Sequence, residues 1–540
     1  MYKILKASGL ALFAALLCAC GSSSSTTSMA ATSTAHGTLS ENPPFRIASL
    51  DAASFQAELA ASGSGAQLLQ ITGNPKCGVD FYYMKFWTVG GAGEATESSG
   101  ALMVPTGGTG TTPGCSGPLP MVLYAHGTNP DKGLNIADIT DTSNTEGVLI
   151  AAMFAAQGYI VVAPNYAGYD ISTLGYHPFL DAEQQSGEMM DILAAARTAL
   201  PKTMSAATSD SGKLFVTGYS EGGHVAMATL RALEAAGSPL TGAAPMSGPY
   251  ALEAFGDAIF FGNVDLGSTV FAPLLSASYQ KAYGNIYSTP ADLYSATYVN
   301  GIETVLPSMT PLDTIFSSGL LPQTALFDST TPVVTVPGNP ALSAQLTALL
   351  SVPGSPGYPL PPGPQTPLFA AGFGSSYLIN NAYRVSYALD AASNPDGAVP
   401  APRAGVPLAA VMPAQPLRLA FYKNDLRNGA WAPKVPTLLC GGGADPTVFF
   451  SVNTGTMAAF WSALPAGLVT VLDVSAPPTA PFAAVQTGFQ TSEAQQLAYY
   501  ESAAGGGLTP QAAQLQVVRG YHSAVAPFCA AAARSFFSQL

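Results

Sequence analysis

Lys213-Leu214-Phe215-Val216-Thr217-Gly218-Tyr219-Ser220-Glu221-Gly222-Gly223-His224 is the stretch on which the reading of this chain turns. The run Lys213 to Thr217 reads as a short strand, and His224 to Ala236 carries apolar residues at helical spacing. Between them, Gly218-Tyr219-Ser220-Glu221-Gly222 fits a nucleophile elbow, a tight strand-to-helix turn that holds a serine hydroxyl clear of the sheet. Side chains at the flanking glycine positions would collide with the neighbouring strand and helix. In a chain with 55 glycines the pattern arises roughly 0.5 times by chance, so its weight comes from the strand-turn-helix setting and from partners elsewhere.

Working outward, strand-like and helical segments alternate. Phe81 to Val89, Ala101 to Pro105, Leu119 to Ala125 and Tyr159 to Ala163 read as strands, whereas Glu146 to Gln157 and Ala182 to Leu200 read as helices. Such alternation implies parallel strands joined by right-handed crossovers, hence an α/β fold on a mostly parallel, doubly wound sheet. Ligands of such sheets bind beyond the carboxyl ends of the strands, where Ser220 falls. The alternation stops near Tyr250 and resumes near Val435. Between them lie helix starts, Thr289-Pro290-Ala291-Asp292 and Thr310-Pro311-Leu312-Asp313, and a proline-rich stretch from Pro353 to Pro367. A large, mainly helical cap is therefore expected at 251–429, inserted between core parts at 44–250 and 430–540. Tyr279, Tyr283 and Tyr287 recur at spacing four, as do Tyr294 and Tyr298, and such stripes either line an apolar channel or pack the cap onto the core.

The 540 residues leave room for one enlarged domain with an insertion. A hydrophobic share of 48% with only 9% charged residues argues against disorder. Beyond the N-terminus every apolar run is interrupted before the roughly 20 residues needed to cross a bilayer. Lys3, Lys6 and the apolar Leu10 to Leu17 read as an export signal over 1–19, and Leu17-Cys18-Ala19-Cys20 resembles a bacterial lipobox that would make Cys20 a lipidated first residue. Residues 20–43, rich in Ser and Thr, then read as a tether to a membrane, placing the protein lipid-anchored in a bacterial cell envelope; a plain cleaved signal and secretion is the competing reading. Loss of 1–19 leaves 17 basic and 32 acidic side chains, a net charge of −15, which excludes nucleic acid as a partner. Cys77, Cys115, Cys440 and Cys529 remain, with three possible disulfide pairings. The expected pairs are Cys77 with Cys115, closing an excursion between neighbouring strands, and Cys440 with Cys529, tying a late strand to the last helix. No C-x-x-C spacing suggests a metal site.

A serine hydroxyl needs a base, and the base needs an acid that holds its tautomer. Among the five histidines, His36 lies in the tether, His126 ends a strand, His177 sits in a Tyr-Pro loop, and His224 is on the helix after the elbow. His522, placed after the apolar run Leu515 to Val518 and before a final helix, is the base selected by elimination and chain order. The acid should follow a strand between the two, and Val435 to Cys440 leads into Gly441-Gly442-Gly443-Ala444-Asp445-Pro446. Asp445 is the first choice, with Asp425 and Asp473 as alternatives; an N-cap for a helix starting at Pro446 is its competing use. Backbone amides of Glu221 and Thr128 are the expected oxyanion donors, because one follows the nucleophile and the other follows the strand ending at His126. The set calls for no metal and no organic cofactor.

Tyr124-Ala125-His126-Gly127-Thr128, Ala163-Pro164-Asn165-Tyr166-Ala167-Gly168-Tyr169, His177-Pro178-Phe179-Leu180, Gly218-Tyr219-Ser220-Glu221-Gly222-Gly223-His224 and Gly443-Ala444-Asp445-Pro446-Thr447-Val448 with Tyr521-His522 together resemble the α/β-hydrolases of the bacterial secretory-lipase-like group. The resemblance implies an α/β-hydrolase fold and lipase or carboxylesterase activity on a small ester or lipid substrate, with Ser220, Asp445 and His522 as triad. A peptidase or a polyester depolymerase could use the same elbow, and a surface binding protein could keep the fold without catalysis.

Overall fold

The computed structural model describes residues 35–107, 114–205, 207–394, 396 and 412–540. The expected signal at 1–19 and Cys20 lie outside them. In chain order the strands are β1 (Phe45–Leu50), β2 (Gly78–Val89), β3 (Ala95–Thr106), β4 (Gly117–Ala125), β5 (Ile160–Pro164), β6 (Thr208–Tyr219), β7 (Gly242–Met246), the two-residue pair β8 (Phe327–Asp328) and β9 (Phe373–Gly374), then β10 (Thr437–Gly441) and β11 (Val469–Asp473). All except β8 and β9 form one sheet in the order β1-β2-β3-β5-β4-β6-β7-β10-β11. The β1, β2, β3 and β5 neighbours pair antiparallel, and every later pair is parallel. Central strands such as β5 and β7 are buried at every position, which suits short apolar runs covered on both faces.

Helices α1 (Ala52–Ala60), α2 (Gly63–Thr72) and α3 (Thr145–Met153) precede α4 (Ala182–Ala199) and α5 (Glu221–Ala235), the helix leaving the elbow. The segment between β7 and β10 carries α6 (Leu252–Phe260), α7 (Ser268–Tyr283), α8 (Pro290–Leu293), α9 (Leu312–Ser317), α10 (Pro340–Leu349), α11 (Thr366–Ala370), α12 (Asn381–Ser393) and α13 (Pro416–Asn424) around its own apolar cluster. That is a helical cap in which β8 and β9 are the only strands among the described residues. Its tyrosines are packing residues: Tyr279, Tyr287, Tyr294 and Tyr298 are buried, and Tyr279 Oη donates to the Leu180 carbonyl at 3.1 Å. α14 (Thr454–Phe460), α15 (Ala483–Glu501) and α16 (Pro510–Phe537) complete the core. Cys77 is bonded to Cys115 and Cys440 to Cys529.

Three local expectations need correction. His522 does not precede the last helix but lies within it. Val517, Tyr521, Val525, Phe528 and Cys529 form one buried stripe at helical spacing, so the apolar run at Leu515 to Val518 is the first part of a continuous α16. No helix starts at Pro446; the chain bends there, and α14 begins only at Thr454. The tether is shorter than 20–43, because Gly37 N donates to Trp87 O at 2.9 Å and Ser40 N to Lys85 O at 3.0 Å, so the chain from Gly37 onward pairs with the free edge of β2.

Candidate active site

Ser220 follows β6 directly and caps α5 with φ 61° and ψ −122°, a strained backbone that non-glycine residues rarely adopt. The strain is imposed by close packing on both sides of the turn. A Cβ on Gly218 would stand 2.3 Å from Gly222 O, and one on Gly222 only 2.0 Å from Ala125 O. One on Gly223 would stand 2.3 Å from Met246 O, so α5 can leave the sheet this steeply only with glycine at these positions. Ser220 N donates to Met246 O at 3.0 Å, which ties the turn to the end of β7.

His522 Nδ1 stands 2.6 Å from Asp445 Oδ2. The other Asp445 oxygen accepts from the amides of Thr447 (2.9 Å) and Val448 (3.1 Å), so one carboxylate both closes its own turn and faces the imidazole. His522 Nε2 is buried and has no hydrogen-bond partner among the described residues. Ser220 and His522 line the same groove. Tyr219 packs its ring on His522 at 4.9 Å between centroids and donates its hydroxyl to the His522 carbonyl, which links the elbow to α16. The alternative acids are occupied elsewhere. Asp425 is paired with the buried Arg427, and Asp473 accepts from Gly443 N at 2.8 Å and from Ser475.

The expected oxyanion donors flank Ser220. Neither the Thr128 nor the Glu221 amide has an acceptor among the described residues. Gly127 N, one residue earlier, donates to both Glu146 oxygens at 3.1 Å, and Glu146 also accepts from Tyr124 Oη at 2.7 Å. Glu146 thereby fixes the loop while leaving the Thr128 amide open; burial raises its own pKa against those hydrogen bonds. His126 is structural, with Nε2 3.1 Å from Asn165 O and Nδ1 2.6 Å from Gly127 O. His177 Nε2 meets Glu221 Oε1 at 2.7 Å beneath the elbow, with Gln185 Nε2 donating to the same oxygen at 2.7 Å. Burial acts to raise the Glu221 pKa, but His177 and these hydrogen bonds outweigh it and hold the carboxylate ionised. His224 is buried, with Nε2 3.0 Å from Asn424 O, and burial lowers its pKa to about 4. His36 lies 3.6 Å from Asp191, away from the site.

Two cavities meet at Ser220. One, of about 100 Å³, runs under the cap and is lined by side chains such as Leu252, Phe255, Phe271 and Phe421, together with Thr128 and Ser220. Its one ionisable cap side chain is Asp265, buried and receiving a hydrogen bond from Ser268 Oγ. Burial pushes the Asp265 carboxyl up to about 7, the Ser268 hydroxyl opposes this, and the Asp445 carboxylate adds to it. Sequence reasoning named the Glu221 amide but missed the Glu221 carboxylate, Glu146, Tyr219 and Asp265 as site-shaping groups. Only Tyr219 and Glu221 carried a signal, by flanking the serine.

Residues 148–236, which include the elbow, match the model of the prolyl oligopeptidase family. No curated protein sequence matches the chain. Among solved structures, the rice cell wall degrading esterase LipA from Xanthomonas oryzae is 25% identical, with a TM-score of 0.58 over 81% of this chain and 91% of LipA. A Legionella pneumophila protein assigned as a hydrolase is 17% identical, with a TM-score of 0.56 over 92% of this chain and 96% of its own, a likeness of fold. The strand order, the forced turn at Ser220 and these superpositions agree, and the chain has the α/β-hydrolase fold.

Proposed function

We propose that the protein is a serine hydrolase of carboxylic esters, working through an acyl-enzyme on Ser220. The observation that carries the reading is the 2.6 Å contact between His522 Nδ1 and Asp445, which leaves His522 Nε2 buried, unpaired and on the groove that Ser220 lines. Asp445 holds the imidazole with its proton on Nδ1, so Nε2 is the basic nitrogen. Ser220 Oγ bonds to the ester carbonyl carbon while its proton passes to His522 Nε2. The carbonyl oxygen takes the negative charge, and the Thr128 and Glu221 amides donate to it, a contribution worth roughly 3 to 4 kcal/mol per donor in comparable sites. The C–O bond to the alcohol breaks as His522 returns the proton to it. Water then repeats the sequence, releasing the acid and free Ser220.

The match to the prolyl oligopeptidase family favours one second reading, a peptidase on the same elbow. A fluorophosphonate probe followed by peptide mapping should label Ser220 alone, and p-nitrophenyl butyrate should be turned over while proline anilides are not. Labelling elsewhere, or anilide turnover with inert esters, would remove the esterase reading. Two disulfides support an exported protein in an oxidising compartment. Attachment through Cys20 is the proposed anchor, and Cys20→Ser should release soluble enzyme with its catalysis intact. An unmodified mature N-terminus downstream of Cys20 in mass spectrometry would mean plain secretion instead.

A further inference from the structure

The second cavity at Ser220 is a groove of about 1200 Å³, against about 100 Å³ for the pocket under the cap. An ester bound at Ser220 has two sides, and the small, apolar, cap-covered pocket suits its acyl side. That leaves the groove to the alcohol, and a groove of this size is far larger than a methyl, ethyl or nitrophenyl group requires. Residues of α2, α15 and α16 line it together with Ser220 and His522.

The chemistry of the walls is specific. Gln67 and Gln70 on α2 and Gln495 and Gln496 on α15 all line the groove, Gln496 half-buried and the other three exposed, so that their carboxamides are hydrated and open to a ligand. Ser492 adds a hydroxyl on the same helix as the last two. Each carboxamide offers both donors and an acceptor, which matches hydroxyl groups that also do both. No Lys or Arg lines the groove among the described residues, and its carboxylates are Glu58, Asp141 and the internally bonded Glu146. A phosphate or carboxylate on the alcohol would therefore meet like charge and no counter-ion.

We propose that this groove is the alcohol subsite of the enzyme and that it takes a large, uncharged, polyhydroxylated alcohol, so that the substrate is an acyl ester of a neutral saccharide. The inference rests on the esterase reading above and adds the substrate class. The carboxamides on α2 and α15 hydrogen-bond sugar hydroxyls along the groove, and apolar side chains such as Leu68, Ile71 and Val485 cover the ring faces.

The test uses the full-length enzyme and holds the butyryl group constant while varying the alcohol, with ethyl butyrate, p-nitrophenyl butyrate and 6-O-butyryl esters of methyl glucoside and methyl cellobioside; oligomeric 3-hydroxybutyrate, which differs in acyl group as well, is the polyester control. The saccharide esters should exceed ethyl butyrate by roughly tenfold in kcat/KM, chiefly through KM, since a few partly solvated hydrogen bonds are at stake. Removing a carboxamide with Gln496→Leu, or filling the groove with Ser492→Trp, should lower the ratio of saccharide-ester to p-nitrophenyl-ester kcat/KM by roughly fivefold or more. Equal kcat/KM for ethyl and saccharide butyrates, a preference for the hydroxybutyrate oligomer, or a ratio unmoved in both variants would overturn the assignment. Turnover of p-nitrophenyl butyrate without alcohol discrimination would sink the groove alone, whereas absence of all ester turnover would sink the esterase reading with it.

Discussion

Around Ser220 the sheet holds its polar groups through backbone geometry and glycine, whereas the cap, which has no extended sheet among the described residues, pins its helices with arginines buried from water. In the core, steric closure at Gly218, Gly222 and Gly223 forces the serine turn; both Glu146 oxygens accept from the Gly127 amide, and Glu221 meets His177 and Gln185 through Oε1 alone. In the cap, Arg418 on α13 makes paired contacts of 2.8 Å with Asp257 on α6 and reaches Asp390 on α12 at 3.3 Å. Arg384 on α12 donates to the Phe260 and Leu350 carbonyls at 3.0 and 2.9 Å and lies 4.2 Å from the Phe327 ring centre. Arg427 joins Asp425 and Asp396 just beyond α13. In the core the serine turn is thus set by local chain geometry, while its buried carboxylates are held by backbone amides and neutral or imidazole donors rather than by arginine. In the cap polar recognition links helices far apart in sequence, so its loss should cost folding of the cap before it costs chemistry.

The sharpest way to separate the two regions is to remove the chemistry and leave the fold. Ser220→Ala and His522→Ala should each lower ester hydrolysis by roughly three or more orders of magnitude with an unchanged thermal transition, because members of such a set act as a unit. Asp445→Asn should lose slightly less. If Asp445→Asn stayed near full activity while Asp473→Asn lost it, the assignment of the acid would be wrong.

The converse break is Arg418→Ala, which strands the Asp257 carboxylate in the cap interior. Its expected cost is about 3 to 5 kcal/mol in urea unfolding. A cap held chiefly by apolar packing would show less than about 1 kcal/mol, as an exposed pair would. Next in size is the bond between Cys440 and Cys529, which ties the strand before Asp445 to the helix carrying His522. Cys440→Ser with Cys529→Ser should destabilise by roughly 2 to 4 kcal/mol. It should also lower kcat more than loss of the Cys77–Cys115 bond does, since only the former joins two site-bearing elements. Equal kcat in the two double variants would remove that distinction.

The smallest effect concerns the single ionisable cap group in the pocket. Burial pushes the Asp265 carboxyl up to about 7 from the ordinary 3.8, so the folded protein binds the extra proton between these values. Its contribution to stability therefore falls as pH rises through that window. Asp265→Asn removes the slope, and the stability of the variant minus that of the parent should grow from about pH 4 to about pH 7 and then level off. Urea midpoints at pH 4.5, 5.5, 6.5 and 8 would read it, and a difference independent of pH would show that Asp265 is ionised throughout.

The chain sequence carried the elbow because its glycines encode a steric requirement that neighbours in sequence impose on one another. A break in strand-helix alternation between Tyr250 and Val435 was legible too, because that alternation is a local pattern. Which carboxylate meets His522 was open among Asp425, Asp445 and Asp473. Only the folded chain separates them, by giving Asp425 to Arg427, Asp473 to the Gly443 amide and Asp445 to the imidazole. His522 on a long helix was missed for a related reason. The stripe of Val517, Tyr521 and Val525 looks like a short apolar run until the surface that buries it is known. What the sequence by itself determined here is what adjacent residues force on each other: the turn at Ser220, the order of strands and helices, and the insertion between β7 and β10. The tertiary structure alone decided the partner of His522, the linkage of the cap through Arg418 and Arg427, and the two unequal cavities on either side of Ser220. Each of those depends on side chains brought together across long stretches of chain, whose pairing no local spacing records.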